Sequence, residues 1–477
     1  MIDCTKFVET LSGKPVAVFG LGLSGLATVR ALTKAGAKVK AWDDLAETHA
    51  QAQDAGAELC ALDEEQLQDC ALLVLAPGVP LFFPKPHRVV QTARKLGLEI
   101  ICDLEILHRC GHGRKTIGIT GTNGKSTTTA LVAHILKSEG RSISTGGNIG
   151  YAALDLDLPE EGGFFVLELS SFQMDLCPTF TPDVSVLLNI TPDHLDRHGN
   201  FKNYCAAKER IFGGEGVAII SLDDEPCRRI YERMLAYETG KRRVRPFSFE
   251  GEVENGVYVK NGTVFDARKG EAQEIGSIEG LSALRGEHNH QNAAAAYAVC
   301  ASQDVALDPQ KILTAMKTFT GLPHRQYQVG VINGIPYIND SKATNVEAAS
   351  KALSAYRNIY WIAGGRPKGE GLEDLYPLMS NVRHVFLIGE AMVAYAGWLD
   401  QYSVPYTMCG DLENAIYEAH NAAQSERGRP GGAGVVMLSP ACASYDQFGS
   451  YRERGDFFTK TVETLSEEQP LVAGAGI

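Results

Sequence analysis

The chain is 477 residues long, 44% hydrophobic and 22% charged, enough apolar material for about three globular domains. It contains no run of about eighteen apolar residues, which excludes membrane insertion as a helix, and its net charge of −13 argues against bulk nucleic-acid binding. Eleven cysteines without a Cys-x-x-Cys pair read as the reduced thiols of a cytoplasmic protein, neither a disulfide frame nor a zinc site.

At the N-terminus, Met1 to Lys6 lacks a basic segment followed by an apolar one, so no secretory signal is expected. Val16 to Phe19 predicts a strand, Gly20-x-Gly22-x-x-Gly25 a turn, and Leu26 to Ala35 a helix ending near Gly36. A second strand, Val39 to Trp42, is closed by Asp43, which completes a dinucleotide fingerprint. Physically this pattern offers backbone amides to a diphosphate and a carboxylate to a ribose. NAD and a UDP-linked sugar satisfy it equally, and a tight turn with no ligand fits the same residues. Leu72 to Ala76 predicts another strand, running into Pro77-Gly78-Val79-Pro80. Alternating strands and helices imply a parallel sheet with crossovers.

A second such series starts at Ile117 and continues through Phe164 to Leu169 and Val184 to Leu188. Between Pro246 and Ile278 the pattern changes to short strands around an Asn261-Gly262 turn, which predicts a small β-rich insertion in the central domain. A helix is expected from Asn292 through Val299, and Gly321-Leu322-Pro323 reads as a hinge. Ile359 to Ala363, Val385 to Ile388 and Val435 to Leu438 mark a third α/β unit. The expected domains are therefore 1–104, 105–321 and 322–477.

The strongest chemical signal is Gly118-Ile-Thr-Gly121-Thr122-Asn123-Gly124-Lys125-Ser126-Thr127, between an apolar stretch and a helix-like run. Its glycines let backbone N–H groups turn toward an anion at a helix N-terminus. Lys125 can reach the β- and γ-phosphates of ATP, and Ser126 can hold Mg²⁺. The spacing is one residue longer than the usual nucleoside-triphosphate loop.

Other polar clusters fall at predicted strand ends, where open α/β sheets bind ligands. Glu168 either faces a magnesium ion or caps the next helix. His194 and His198 lie four apart; with no third ligand at suitable spacing, proton handling or contact with a magnesium shell fits better than zinc. Lys208, by itself, reads as an ordinary solvated helical lysine. Asn289 and Asn292 suit hydrogen bonds to a base or phosphate. Pro323-His324-Arg325, Asn339 to Asn345, Gly364 to Gly369 and Ser439 to Phe448 add cations, hydroxyls and an acid in the last third of the chain. Cys442 has no histidine close in sequence and reads as a packed thiol.

Together these segments resemble the Mur ligases, the ATP-dependent amide-forming enzymes of peptidoglycan synthesis, over essentially the whole length. The Asn339-Asp-Ser-Lys-Ala-Thr-Asn345 and Ser439-Pro-Ala-Cys-Ala-Ser444 segments resemble the glutamate-adding branch. The Asp-Asn-Pro-Arg segment of the branch adding diaminopimelate or lysine is missing.

The resemblance implies an α/β fold of three domains: a Rossmann-like N-terminal domain, a P-loop-type central ATPase domain carrying the β insertion, and a Rossmann-like C-terminal domain. It implies ligation of D-glutamate to UDP-N-acetylmuramoyl-L-alanine through an acyl phosphate, by a monomer using small-molecule substrates, ATP and two Mg²⁺ ions. Leu23, Ser24, Asp43, Gly78 and Asn148 would bind the sugar nucleotide, with Ser170 also on the substrate. Gly121 to Thr127 would grip the ATP phosphates, and Asn289, Asn292, His324, Arg325 and Asp340 would surround the adenosine. Ser126, Glu168, His194 and a carbamate on Lys208 would serve the metal. Lys342, Thr344, Lys368, Ser444 and Tyr451 would receive D-glutamate, Tyr451 standing where the family has phenylalanine. Lys125, Glu168, His194 and Lys208 are the expected catalytic set. The dehydrogenase reading leaves the phosphate loop unexplained. A folate polyglutamylating enzyme would lack the first domain.

Overall fold

A computed structural model of the protein describes residues 1–236, 242–367, 369, 371–429 and 434–468. The chain forms two compact units, Met1–Glu279 with His290–Thr318, and Gly280–Asn289 with Phe319–Ile477.

The first unit holds two sheets. Strands β1 (Val16–Phe19), β2 (Val39–Trp42), β3 (Glu58–Leu59), β4 (Leu72–Leu75) and β5 (Glu99–Ile101) pair in parallel in the order β3-β2-β1-β4-β5. β1 and β4 are buried at every residue, as a strand covered on both faces must be. The turn after β1 feeds a helix, Leu23–Lys34, that starts three residues earlier than the sequence predicts. A Cβ on Gly25 would sit 1.8 Å from the Gly20 carbonyl oxygen, so this close strand-to-helix approach admits only glycine.

The second sheet contains β6 (Lys115–Thr120), β7 (Ile143–Gly147), β8 (Phe164–Glu168), β9 (Val184–Leu187), β10 (Gly216–Ser221), β11 (Arg242–Ser248), β12 (Val257–Lys260), β13 (Thr263–Asp266) and β14 (Gln273–Ser277). Their order is β14-β13-β12-β11-β10-β9-β6-β8-β7. The β-rich insertion is real, with a hairpin at Asn261-Gly262, both at positive φ as a type I′ turn requires. It does not stand apart: β12 pairs in parallel with β11 through Phe247 and Val257, so the insertion lengthens the central sheet. The helix expected from Asn292 begins at Glu287 and runs to Cys300. Its Ala293 to Ala296 are fully buried, which removes the polar face that a sequence reading needs to find a helix start.

One apolar cluster serves both sheets of this unit, joining Val18, Leu73 and Leu104 to Leu154, Leu167 and Leu176. Around it, Glu105 is fully buried and accepts from the backbone N–H groups of Thr179 (3.1 Å) and Phe180 (2.9 Å) and from Arg109 Nε (2.8 Å).

The second unit contains β15 (Tyr327–Ile332), β16 (Ile335–Asn339), β17 (Ile359–Gly364), β18 (Val382–Ile388), β19 (Tyr406–Gly410) and β20 (Val435–Leu438), in the order β15-β16-β20-β17-β18-β19. All pairings but that of β15 with β16 are parallel. Helices cover both faces, one core forming around Trp361 and Leu353, the other around Phe386 and Phe458. Among the described residues, no helix is long and apolar enough to cross a membrane.

Candidate active site

The phosphate loop leaves the C-terminal end of β6 and enters the helix Lys125–Ser138. Its backbone is clamped from neighbouring strand ends. Asn189 accepts from the Asn123 N–H (2.8 Å) and donates to the Asn123 carbonyl (3.1 Å), while the Thr122 N–H donates to the Asn189 carbonyl (2.9 Å). Gly124 is left-handed at φ +83°, and a Cβ there would lie 2.3 Å from Asn292 Oδ1. That same oxygen accepts from Thr128 Oγ1 at 3.1 Å. Asn292 therefore buttresses the loop at the start of its helix. Thr127 lies in the same first turn.

Two amines converge on one carbonyl in this loop. Lys125 Nζ donates to Gly121 O (2.8 Å) and Thr122 O (2.6 Å), and Lys208 Nζ donates to Gly121 O (2.7 Å). Lys208 is 1% exposed and lies 4.7 Å over the Tyr204 ring, whose hydroxyl meets Thr122 Oγ1 at 3.0 Å. The solvated lysine of the sequence reading is thus buried. Burial, and then the Lys125 ammonium, push the Lys208 amine well below the ordinary lysine range.

Beside the loop, Ser126 Oγ donates to Glu168 Oε2 at 2.5 Å, and Asn148 Nδ2 donates to Glu168 Oε1 at 2.7 Å. Glu168 ends β8, next to the loop strand β6, and is buried. It is no helix cap. Ser170 performs that role, accepting from the Gln173 N–H in a capping box. His194 stands at positive φ (51°) before the short helix Leu195–His198, its ring 5.0 Å from that of Phe172. His198 stacks on the same Phe172 ring at 5.3 Å and is buried against Ser171 Oγ (2.9 Å). Burial, then His194 and Lys208, lower the His198 pKa to about 4, so it stays neutral. Among the described residues, no cluster of three or more His, Cys, Asp or Glu side chains is placed to hold a metal.

In the N-terminal sheet, Asp43 Oδ2 accepts from the Leu21 N–H at 2.5 Å and Oδ1 from the Leu45 N–H at 2.9 Å. Leu23 is exposed and Ser24 half-buried on the first turn of the following helix, and the Gly78 carbonyl accepts from Arg197 Nη1 at 2.9 Å. Asp43 lines a cavity of about 890 Å³ with Trp42, His49, Lys85, His87 and Arg88. The Trp42 indole N–H is buried without a partner there. Trp42 was read only as the end of a strand, and His49, Lys85, His87 and Arg88 escaped the sequence reading; the last three lie at the end of a Pro-rich stretch that carries no motif.

In the second unit, Asn289 is buried and donates to the Arg285 carbonyl at 2.8 Å. His324, at φ +65°, meets Asn339 Nδ2 at 3.2 Å and lies near Asp456 (3.4 Å). Asp340, at the end of β16, accepts from Ser439 Oγ (2.8 Å) and the Gln326 N–H (3.1 Å). Burial raises its carboxyl pKa to about 7, against those hydrogen bonds and the Arg325 cation. Lys342 Nζ stands 4.1 Å over the Tyr451 ring, and the Tyr451 carbonyl accepts from Ser341 Oγ at 2.8 Å. Thr344 is half-buried and Ser444 buried close by in sequence to these groups; Lys368 lies outside the described residues. Cys442 is fully buried, 3.0 Å from the Tyr395 hydroxyl. Arg454, which sequence reasoning missed, is 1% exposed and donates to Ser341 Oγ and O and to the Cys442 carbonyl. It ties the β16 and β20 loops together, and only its nearness to Tyr451 in sequence hinted at that.

Residues 14–102 match the Mur ligase MurD-like N-terminal domain, and residues 119–300 match the Mur ligase middle domain. The UDP-N-acetylmuramoylalanine–D-glutamate ligase of Chelativorans sp. is 45% identical over 470 residues, 98% of each chain. That of Agrobacterium fabrum is 45% identical over 476 residues, 99% of each. The chain belongs to the Mur ligase family. As a Mur ligase it also shares its α/β fold with solved relatives of low identity. UDP-N-acetylmuramate-alanine ligase from Thermotoga maritima superposes with a TM-score of 0.58 at 17% identity, covering 96% of this chain and all of that one. MurF from Acinetobacter baumannii gives 0.55 at 19%, covering 78% and 82%.

Two outcomes test this geometry. Gly124→Ala in this Mur ligase is expected to weaken ATP binding more than tenfold, because the methyl both strains φ and displaces Asn292; calorimetric titration with ATP reads it, and unchanged affinity refutes the clamp. Asp340 binds its proton more tightly folded than unfolded, so its contribution to stability is full below about pH 4 and is lost as pH rises through about 7. Asp340→Asn should therefore flatten the fall in stability of the second unit over that window, measured by denaturant unfolding at stepped pH.

Proposed function

We propose that this Mur ligase joins D-glutamate to UDP-N-acetylmuramoyl-L-alanine at the expense of ATP, a step of peptidoglycan precursor synthesis. The observation that carries this reading is the 44–45% identity, across nearly full lengths, to ligases named for that reaction. The domain divisions near residues 104 and 321 go with it, the first part taking the sugar nucleotide and the second ATP.

The alanyl carboxylate attacks the γ-phosphorus of ATP; an O–P bond forms, the bond to the β-phosphate oxygen breaks, and ADP leaves. The amine of D-glutamate then attacks the acyl carbon. A C–N bond forms, phosphate departs with the C–O bonding pair, and the amine gives up a proton. The chain's part is positioning and charge neutralisation. Loop N–H groups and Lys125 would cradle the phosphates, and the polar cavity at Asp43, which Lys85 and Arg88 also line, would take the uridine-diphosphate end. Lys342, Thr344, Ser444 and Lys368, with the Tyr451 backbone, would face the D-glutamate carboxylates. Asn289, His324, Arg325 and Asp340 would serve the adenosine.

The donor set fits magnesium, since the Ser126 hydroxyl and Glu168 carboxylate present hard oxygen atoms side by side at the phosphate loop. Ser126 and Glu168, with His194 and a carbamate on Lys208, would hold the ions, which neutralise phosphate charge when bound. A carbamate needs a neutral amine to capture CO₂, and the burial and Lys125 charge that push the Lys208 amine well below the ordinary lysine range favour that form.

Oxygen-18 placed in the acceptor carboxylate is expected in the released inorganic phosphate, one atom per turnover; its absence, read by mass spectrometry, would refute the acyl-phosphate route. Lys208→Ala is expected to lose about 100-fold or more in turnover, by analogy with removal of an electrostatic catalytic group. Short carboxylates such as acetate or formate should restore part of it, and failure of every such acid to do so would remove the carbamate assignment.

A further inference from the structure

The central sheet carries a second polar cavity at the edge opposite the phosphate loop. Its volume is about 380 Å³, and its walls come from the starts of β10 and β11, the end of β13, and the segment that follows the helix Glu287–Cys300. Arg243, Arg245, Arg268 and Lys269 all line it, in a chain whose overall charge is −13. Asp266 is the one acid among its lining residues, and it is already engaged. Arg268 grips it through Nε (2.9 Å) and Nη2 (2.6 Å), and the Tyr297 hydroxyl donates to it at 3.1 Å. Arg268 Nη1 is itself occupied by the Ala301 carbonyl.

Arg243, Arg245 and Lys269 are left with no carboxylate partner among the described residues. Arg245 is half-buried, and burial followed by the Arg243 and Arg268 charges lowers its pKa, while Arg243 and Lys269 are exposed. Ser302 adds an independent sign: it lines the cavity, is 5% exposed, and its Oγ is buried without a hydrogen-bond partner. An unmatched buried hydroxyl and a half-buried guanidinium beside two like charges both cost stability unless an anion answers them. One phosphate group carries about −1.5 to −2 charges, so two balance three cations better than one. The volume also exceeds what a single phosphate fills.

We propose that this cavity binds a small anion bearing two phosphate groups, separate from the nucleotide and sugar-nucleotide sites. Arg243, Arg245 and Lys269 neutralise it, and the Ser302 hydroxyl donates a hydrogen bond to it. Arg268 is a positioning residue that cancels Asp266 and fixes the wall at Ala301.

Phenylglyoxal footprinting of the full wild-type chain, read by mass spectrometry, locates the anion without any substitution. Inorganic pyrophosphate is expected to slow modification of Arg243 and Arg245 at least fivefold and to leave exposed Arg427 unchanged. Calorimetric titration follows in a Lys125→Ala background, which removes competition from the phosphate loop. There Arg243→Gln with Arg245→Gln should weaken pyrophosphate binding at least tenfold, whereas Arg88→Gln should not affect that site. A hexose bisphosphate run in parallel separates the two sources of such an anion: tighter binding of pyrophosphate assigns a compact diphosphate, tighter binding of the hexose compound a sugar-borne pair. Equal protection of all three arginines, an affinity indifferent to Arg243→Gln with Arg245→Gln, or binding of both probes no better than sulfate would overturn the proposal.

Discussion

A single carbonyl oxygen, that of Gly121, receives two lysine amines, and much of the site follows from that sharing. Two ammonium ions so close in a poorly solvated place repel strongly. Lys125 stands half-exposed on the loop, whereas Lys208 is walled in by Tyr204, and burial and then the Lys125 charge push its amine well below the ordinary lysine range. The loop can hold both only because its own shape is fixed from outside. Asn189 and Asn292 supply that shape from a strand end and a helix, and neither belongs to the loop's sequence. The conformation of the loop is a property of its neighbours as much as of its glycines.

What the sequence discloses divides along physical lines. Apolar strands such as β1, β4, β9 and β20 were legible because burial on both faces writes an unbroken hydrophobic run. The phosphate loop was legible because anion binding demands glycines, lysine and serine at fixed spacing. Lys208 was not, since a helix position carries no mark of what packs over it. Its burial comes from Tyr204 on the same helix and from a backbone carbonyl 87 positions away. Glu168 could be read two ways from its strand-end position; Ser170 takes the helix cap, and Glu168 accepts from Ser126 and Asn148 instead.

Buried cations without carboxylates recur and were equally hidden. Arg242 donates to the carbonyls of Pro182, Phe212, Gly213 and Val217, and burial lowers its pKa to about 10. Arg454 does the same between Ser341 and Cys442. Each spends a guanidinium's several donors on loop backbone that would otherwise lack partners. Sequence cannot separate such an arginine from a solvated one, because the acceptors are main-chain atoms of any residue type.

The apolar cluster shared by the first two sheets carries a further implication for how the polypeptide can be cut. A fragment ending near residue 104 would keep Leu73, Ile101 and Leu104 but lose Leu154, Leu167 and Leu176, members of the same apolar cluster, and so leave part of that cluster open to water. Such a piece would be sticky and prone to precipitate, however well its nucleotide fingerprint is preserved. Recombination between relatives should therefore succeed when crossovers respect the pair of sheets as one inherited block, and fail when they divide it.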